Sequence, residues 1–206
     1  MLTVALTGGI ASGKSVIADI LRDVGCYIHH ADRIAHELME PDKPAWKKIV
    51  AHFGKKILNE DKTINRSRLG KIIFLDKKEQ RFLNELIHHL VHKKKKEAIQ
   101  KLEKEGRFNI FVSEAALTVE AGFTDFFDKV IVVYCRQDVQ IKRLMGRDRI
   151  SHKEAVQKLE SQMMPEEKLK YADYIIDTSG TLQDTVEQTE RVYRNLVIDF
   201  ELKHAP

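Results

Sequence analysis

The sequence predicts an α/β protein: a three-layer core around a five-stranded parallel sheet, interrupted by a helical insertion and carrying a small helical lid. Three observations predict it. Short apolar, β-rich runs alternate with stretches whose apolar residues recur every three or four positions, the pattern of strands crossed over by helices. That alternation stops between residues 34 and 106, where only helical spacing is found. Finally, Gly8-Gly9-Ile10-Ala11-Ser12-Gly13-Lys14-Ser15 satisfies G-x-x-x-x-G-K-[ST] between the first strand and the first helix.

The first strand is the apolar run from Leu2 to Leu6, and Val16, Ile17, Ile20, Leu21 and Val24 mark one face of the helix behind it. In a loop so flanked, backbone N–H groups turn inward onto phosphate oxygens, and the helix N-terminus adds partial positive charge. Gly9, Ile10, Ala11, Ser12, Gly13 and Val16 are the candidate backbone contacts to a nucleotide. Lys14 reaches the β- and γ-phosphates of ATP, and the Ser15 hydroxyl takes a position on Mg²⁺.

Gly25 reads as the stop of this helix, and Cys26-Tyr27-Ile28 as a second strand ending near Asp32. Asp32 has two readings. At the carboxyl end of a strand it faces the ligand crevice of an open α/β sheet; alternatively it caps a helix starting near Arg33.

In the insertion, Pro41 and Pro44 precede a helix with Trp46, Ile49, Val50 and Phe53 before Gly54, and Asn59 to Lys62 form a turn. A second helical stretch carries Leu69, Ile72 and Ile73. The longest helix starts near Asp76, with Glu79 as its capping partner, and ends at Gly106. Along it His88, His89 and His92 lack the cysteine or carboxylate pair that would complete a zinc site. The Lys93 to Lys96 run is read as a solvated face rather than a phosphate site.

The alternation resumes with Phe108 to Val112, leading to Glu114, then Lys129 to Tyr134, then Tyr174-Ile175-Ile176. Glu114, at a strand's carboxyl end, is a partner for Mg²⁺-bound water or phosphate, or else an ion-pair partner for a nearby base. Gln140, Arg143 and Arg147 share a helix face, and an arginine pair suits polyphosphate. Ser151-His152-Lys153-Glu154 is a capping box, and Pro165 closes the hairpin that follows, read as a lid over ATP or as a fixed surface element. Asp177-Thr178-Ser179-Gly180 reads as a turn beside the nucleotide base, followed by a last helix from Leu182 through Phe200.

Composition limits the class. With 206 residues, 43% of them hydrophobic, the chain suits one domain with an insertion. Thirty-five basic against 31 acidic residues leave +4, which fits an anionic small ligand without requiring nucleic acid. An RNA-binding ATP module is the reading from another class, and no aromatic-basic stacking pattern supports it. Cys26 and Cys135 lie in apolar runs and read as buried free thiols. No basic leader precedes Leu2 and no apolar run reaches bilayer length, so the expectation is a cytoplasmic protein without a membrane partner.

Together these residues resemble the dephospho-CoA kinase family. The resemblance runs nearly end to end on Leu6-Thr7-Gly8-Gly9-Ile10, Ser12-Gly13-Lys14-Ser15, Ala31-Asp32, Phe53-Gly54, Asn65-Arg66 with Leu69, Gln140, Arg143, Arg147, Gln162 and Ala172-Asp173. It implies the P-loop kinase fold, with ATP and Mg²⁺ as cofactors and dephospho-CoA as the acceptor, phosphorylated on its ribose 3′-hydroxyl in the last step of coenzyme A synthesis. It also implies that Asp32 lies near the reacting hydroxyl and that Arg66, His88 and Glu114 help bind the acceptor. Arg143 and Arg147 would serve the phosphates, and Thr178 would stand near the adenine. The implied boundaries are 1–33 and 107–206 for the nucleotide core, about 140–166 for the lid, and 34–106 for the acceptor-binding insertion. Four places depart from the family pattern: Ala11 for glycine, His89 for proline, Glu114-Ala115-Ala116 for an acidic-x-Pro run, and Thr178 for asparagine. Ala11 carries a conformational cost only if its φ is positive. A kinase for another small acceptor would share the loop and lid, so the choice of acceptor rests on the insertion.

Overall fold

The structure is a computed structural model that describes Met1–Ala205. Among these residues β1 (Leu2–Gly8), β2 (Tyr27–His30), β3 (Ile110–Glu114), β4 (Lys129–Tyr134) and β5 (Tyr174–Asp177) form one sheet in the order β2-β3-β1-β4-β5. Every neighbouring pair is parallel. The helices in chain order are α1 (Lys14–Asp23), α2 (Ala31–Leu38), α3 (Pro44–Phe53), α4 (Arg66–Leu75), α5 (Lys77–Glu105), α6 (Gln137–Asp148), α7 (His152–Glu160), α8 (Pro165–Leu169) and α9 (Leu182–Lys203).

Strands covered on both faces read as unbroken apolar runs, and this is why β1 and β4 were conspicuous. Leu2, Val4 and Leu6 of β1 join Ile131 and Val133 of β4 in packing against Ile17, Ala18 and Leu21 of α1 and Val192 and Leu196 of α9. The alternate residues, Ala5, Val130 and Val132, meet Phe127 with Leu169 and Ala172 on the opposite face. Period-two alternation thus yields the three layers. β1 is the middle strand: the chain leaves it through α1 toward β2 on one side, and crosses from β3 to β4 on the other. The loop after β1 therefore lies at the point where strand order reverses, the place where open α/β sheets bind ligands.

The chain divides into two compact units: Met1–His30 together with the residues from Leu102 onward, and Ala31–Lys101. The second unit is helical, built on Leu38, Ala45, Ile49, Phe53, Ile57, Leu69 and Leu83. Its Asn59 turn is closed by a Lys62 N–H bond to the Asn59 carbonyl, and Trp46 Nε1 donates to the Lys62 carbonyl at 2.8 Å.

Three local expectations change. Asp76 does cap α5, accepting from the Lys78 N–H at 2.7 Å, but Glu79 does not close the box: it pairs with His52 at 2.5 Å, whose ring stacks on Phe82 at 3.8 Å. Pro165 opens α8 at its first turn, while α7 has already ended at Glu160. α2 begins at Ala31, so Asp32 lies inside its first turn and is not its N-cap. The Ser151–Glu154 capping box is present, and a second, between Thr181 and Asp184, opens α9.

Candidate active site

The loop from Gly8 to Ser15 connects β1 to α1 with backbone that few residues tolerate. Gly13 has φ 91°, and a Cβ on Gly8 would fall 2.5 Å from the Val133 carbonyl oxygen. Ala11 sits at φ 56°, so its methyl group does carry the left-handed penalty. Ala11→Gly is therefore expected to raise stability by about 0.5–1 kcal/mol, or roughly 1–4 °C in Tm, after allowing for the extra freedom of glycine in the unfolded chain. A melting curve checks this, and a lowered Tm would contradict it.

Two glutamines hold the loop by one residue. Gln140 Nε2 donates to the Ile10 carbonyl at 2.9 Å, and the Ile10 N–H donates to Gln162 Oε1 at 2.8 Å. Gln140 is 1% exposed, in the first turn of α6, and Gln162 follows α7, so the start of one hairpin helix and the segment just past the other both contact the same loop residue. The N–H groups of Ala11, Gly13 and Ser15 make no hydrogen bond among the described residues and are available as donors to an anion. Lys14 Nζ is turned onto the Gly8 and Gly9 carbonyls, each at 2.9 Å.

On the β3 side Ser15 Oγ donates to Glu114 Oε1 at 3.0 Å. Glu114 Oε2 lies 2.5 Å from His30 Nδ1, and Arg22 Nη2 is 3.0 Å from His30 Nε2. A hydroxyl beside a carboxylate is a hard-oxygen donor pair, which fits Mg²⁺ in the company of phosphate oxygens. Behind Glu114, Lys168 is fully buried; its ammonium donates to the Ala116 carbonyl at 3.0 Å and pairs with Glu120 at 2.7 Å. Thr7 Oγ1 donates to the same carbonyl at 3.2 Å, so the segment after Glu114 is tied to β1.

On the β5 side Thr178 and Arg143 make contacts that the sequence did not suggest. Thr178 is 2% exposed, and its hydroxyl donates to the Ser12 carbonyl at 2.7 Å. Arg143 Nη1 donates to Thr178 Oγ1 at 3.1 Å and Nη2 to the Thr178 carbonyl at 2.7 Å. The Thr178 side chain is thus a strut under the phosphate loop and not a surface open to a base, and Arg143 braces that strut. Arg147 is drawn aside to Asp148 at 2.7 Å, and Lys158 reaches the other carboxylate oxygen at 2.9 Å. Arg147 and Lys158 hold the Asp148 carboxyl far below the usual carboxylate range.

The remaining expected residues lie in the helical unit. Asp32 is exposed and makes no hydrogen bond or ion pair among the described residues. Arg66 opens α4 behind the Asn65 cap and lines a cavity of about 340 Å³ with His36, Thr63, Leu69 and Gly70. His88 is half-buried on α5, and desolvation depresses its pKa. Sequence reasoning missed His30 and Lys168. The only signal for His30 was its position two residues ahead of Asp32; Lys168, in a run of charged residues, gave none.

A family model described as dephospho-CoA kinase matches residues 2–184. The dephospho-CoA kinase of Carboxydothermus hydrogenoformans is 42% identical over 90% of this chain and 89% of its own. That of Syntrophus aciditrophicus is 38% identical over 96% of this chain and 84% of its own. Among solved structures, dephospho-CoA kinase from Campylobacter jejuni superposes with a TM-score of 0.68 at 33% identity, covering 94% of this chain and 96% of that one.

Proposed function

The chain belongs to the dephospho-CoA kinase family, and from that premise we propose how its residues move the γ-phosphoryl group of ATP to the ribose 3′-hydroxyl of dephospho-CoA. The observation that carries the reading is that a single family match, residues 2–184, takes in both the phosphate loop and the helical unit. The 3′-oxygen bonds to the γ-phosphorus, the bond from that phosphorus to the β,γ-bridging oxygen breaks, and ADP leaves. The hydroxyl proton goes to Asp32. Because the transition state is loose and its charge is spread over phosphoryl oxygens, positioning and positive charge supply most of the acceleration.

The loop from Gly9 to Val16 cradles the phosphates through the amides of Ala11, Gly13 and Ser15, Lys14 swings from the Gly8 and Gly9 carbonyls onto the β- and γ-phosphates, and Arg143 and Arg147 add charge from the hairpin, which acts as a lid. Ser15, with Glu114 beside it at 3.0 Å, would hold Mg²⁺, which would supply positive charge at the phosphates. Arg66 and His88 bind the acceptor. A cytoplasmic setting suits Cys26 and Cys135, both free and buried, the Cys26 thiol being pushed up to about 12 by burial.

The test is a panel of acceptors with γ-labelled ATP. Label on dephospho-CoA in preference to other nucleosides and small alcohols supports the assignment; preference for another acceptor removes it. The loop clamp has its own consequence. Gln140→Ala strips the Ile10 carbonyl of its donor, and the KM for ATP is expected to rise roughly tenfold, the equivalent of about 1.4 kcal/mol for one lost buried hydrogen bond, with little change in kcat. Steady-state kinetics read the split, and an unchanged KM would separate the glutamine from nucleotide binding.

A further inference from the structure

We propose that His30 is a positioning residue for the metal side of the phosphate site, holding the Glu114 carboxylate so that Oε1 faces Ser15. The inference rests on the reading that Ser15 and Glu114 serve Mg²⁺. A hydrogen-bonded line at the carboxyl edge of the sheet carries it. β2 and β3 run in parallel with His30 opposite Glu114, and β1 and β3 place Leu6 opposite the same Glu114. His30 Nδ1 is 2.5 Å from Glu114 Oε2, and the other carboxylate oxygen is 3.0 Å from Ser15 Oγ. Arg22 Nη2 lies 3.0 Å from His30 Nε2. A guanidinium offers only donors, so Nε2 accepts and the imidazole proton sits on Nδ1, aimed at the carboxylate. Arg22 is itself held by Asp19 at 2.5 Å.

A carboxylate pinned through one oxygen can no longer rotate freely about its terminal bond, and its second oxygen keeps a set direction. Side chains that fix a ligand in this way govern metal affinity although they never touch the metal. Water competes weakly for this bond, since the Glu114 side chain is only 13% exposed.

The test is a Mg²⁺ titration of ATP binding, followed by calorimetry, in the unmodified protein and in His30→Ala, His30→Asn and Glu114→Gln, with metal-free ATP binding measured in the presence of a chelator. His30→Ala is expected to raise the Mg²⁺ concentration for half-maximal enhancement roughly 10- to 100-fold while metal-free ATP binding stays unchanged. Asparagine, whose amide nitrogen stands in for Nδ1, restores most of the loss, which a purely structural role would not predict. If Glu114→Gln shifts the titration and His30→Ala does not, the role of His30 is overturned and the metal-site reading survives. If Glu114→Gln has no effect, the metal-site reading fails and this inference with it. Should His30→Ala not fold, the exposed Arg22→Ala, which frees the imidazole tautomer, is expected to shift the titration in the same direction by a smaller factor; no shift overturns the proposal.

Discussion

Asp32→Asn is expected to lower kcat by about 10²- to 10⁴-fold while ATP binds as before, the effect of removing a general base. A ribose hydroxyl is a poor nucleophile at neutral pH, and no step of the transfer proceeds without somewhere for its proton to go. The substitution keeps the shape of the side chain and removes its negative charge, and with it the capacity to accept that proton. Asp32 is well suited to the test because it is exposed and makes no hydrogen bond or ion pair among the described residues, so its replacement leaves the packing intact. The stability change should be small, roughly 0.3–1 kcal/mol from losing an acidic group in the first turn of α2. Rapid-quench measurement with ATP already bound isolates the chemical step. A rate equal to that of the unmodified enzyme would reduce Asp32 to a helix-dipole partner.

The second large effect is expected from Arg143. Its guanidinium holds both Thr178 Oγ1 and the Thr178 carbonyl, while the Thr178 hydroxyl holds the Ser12 carbonyl in the loop. Arg143→Ala thus removes a brace from under the loop and, on the proposed mechanism, a positive charge from the phosphoryl site. The charge accounts for a fall in kcat of roughly 10³-fold, the low end of what arginine fingers supply. The brace appears separately, as a raised KM for ATP. Arg143→Lys keeps the charge but cannot hold two oxygens with a planar fork, so it should recover part of kcat and little of KM. Thr178→Val isolates the brace: KM rises and kcat is largely kept. Normal kcat in Arg143→Ala would take the arginine out of the chemistry.

The fold was legible where one local rule decides. Apolar runs marked all five strands to within a few residues, most plainly β1 and β4, which are covered on both faces and admit almost no polar residues; β2, with His29 and His30 in its four residues, was marked by its first half alone. Ser151 and Glu154 announced their helix because both halves of the cap lie within four residues of sequence. The Asp76 helix shows the limit of the same rule: Glu79 stands at the right spacing, but His52, 27 residues earlier, claims it. The order β2-β3-β1-β4-β5 could not be read, because nothing local states which strands are neighbours.

The candidate site follows the same division. The phosphate loop is a contiguous motif and was visible at once. The sign of φ at Ala11 is a backbone fact, and the sequence stated only its consequence. His30 was invisible for the reason that hid the strand order: its partner Glu114 is 84 positions away and becomes a neighbour only through the pairing of β2 with β3. Thr178 was assigned by resemblance to the base side of the nucleotide, whereas its hydroxyl is buried against the Ser12 carbonyl; nothing in the Asp177 to Gly180 turn could reveal that contact.

The central claim is that this chain places the γ-phosphoryl group of ATP on the ribose 3′-oxygen of dephospho-CoA. Phosphorus NMR of the purified product, with proton coupling retained, tests it most directly. The account predicts one new phosphomonoester signal coupled to the ribose 3′ proton, formed in step with ADP. A phosphoryl group found at any other position, or ADP formed while dephospho-CoA stays unmodified, would contradict it.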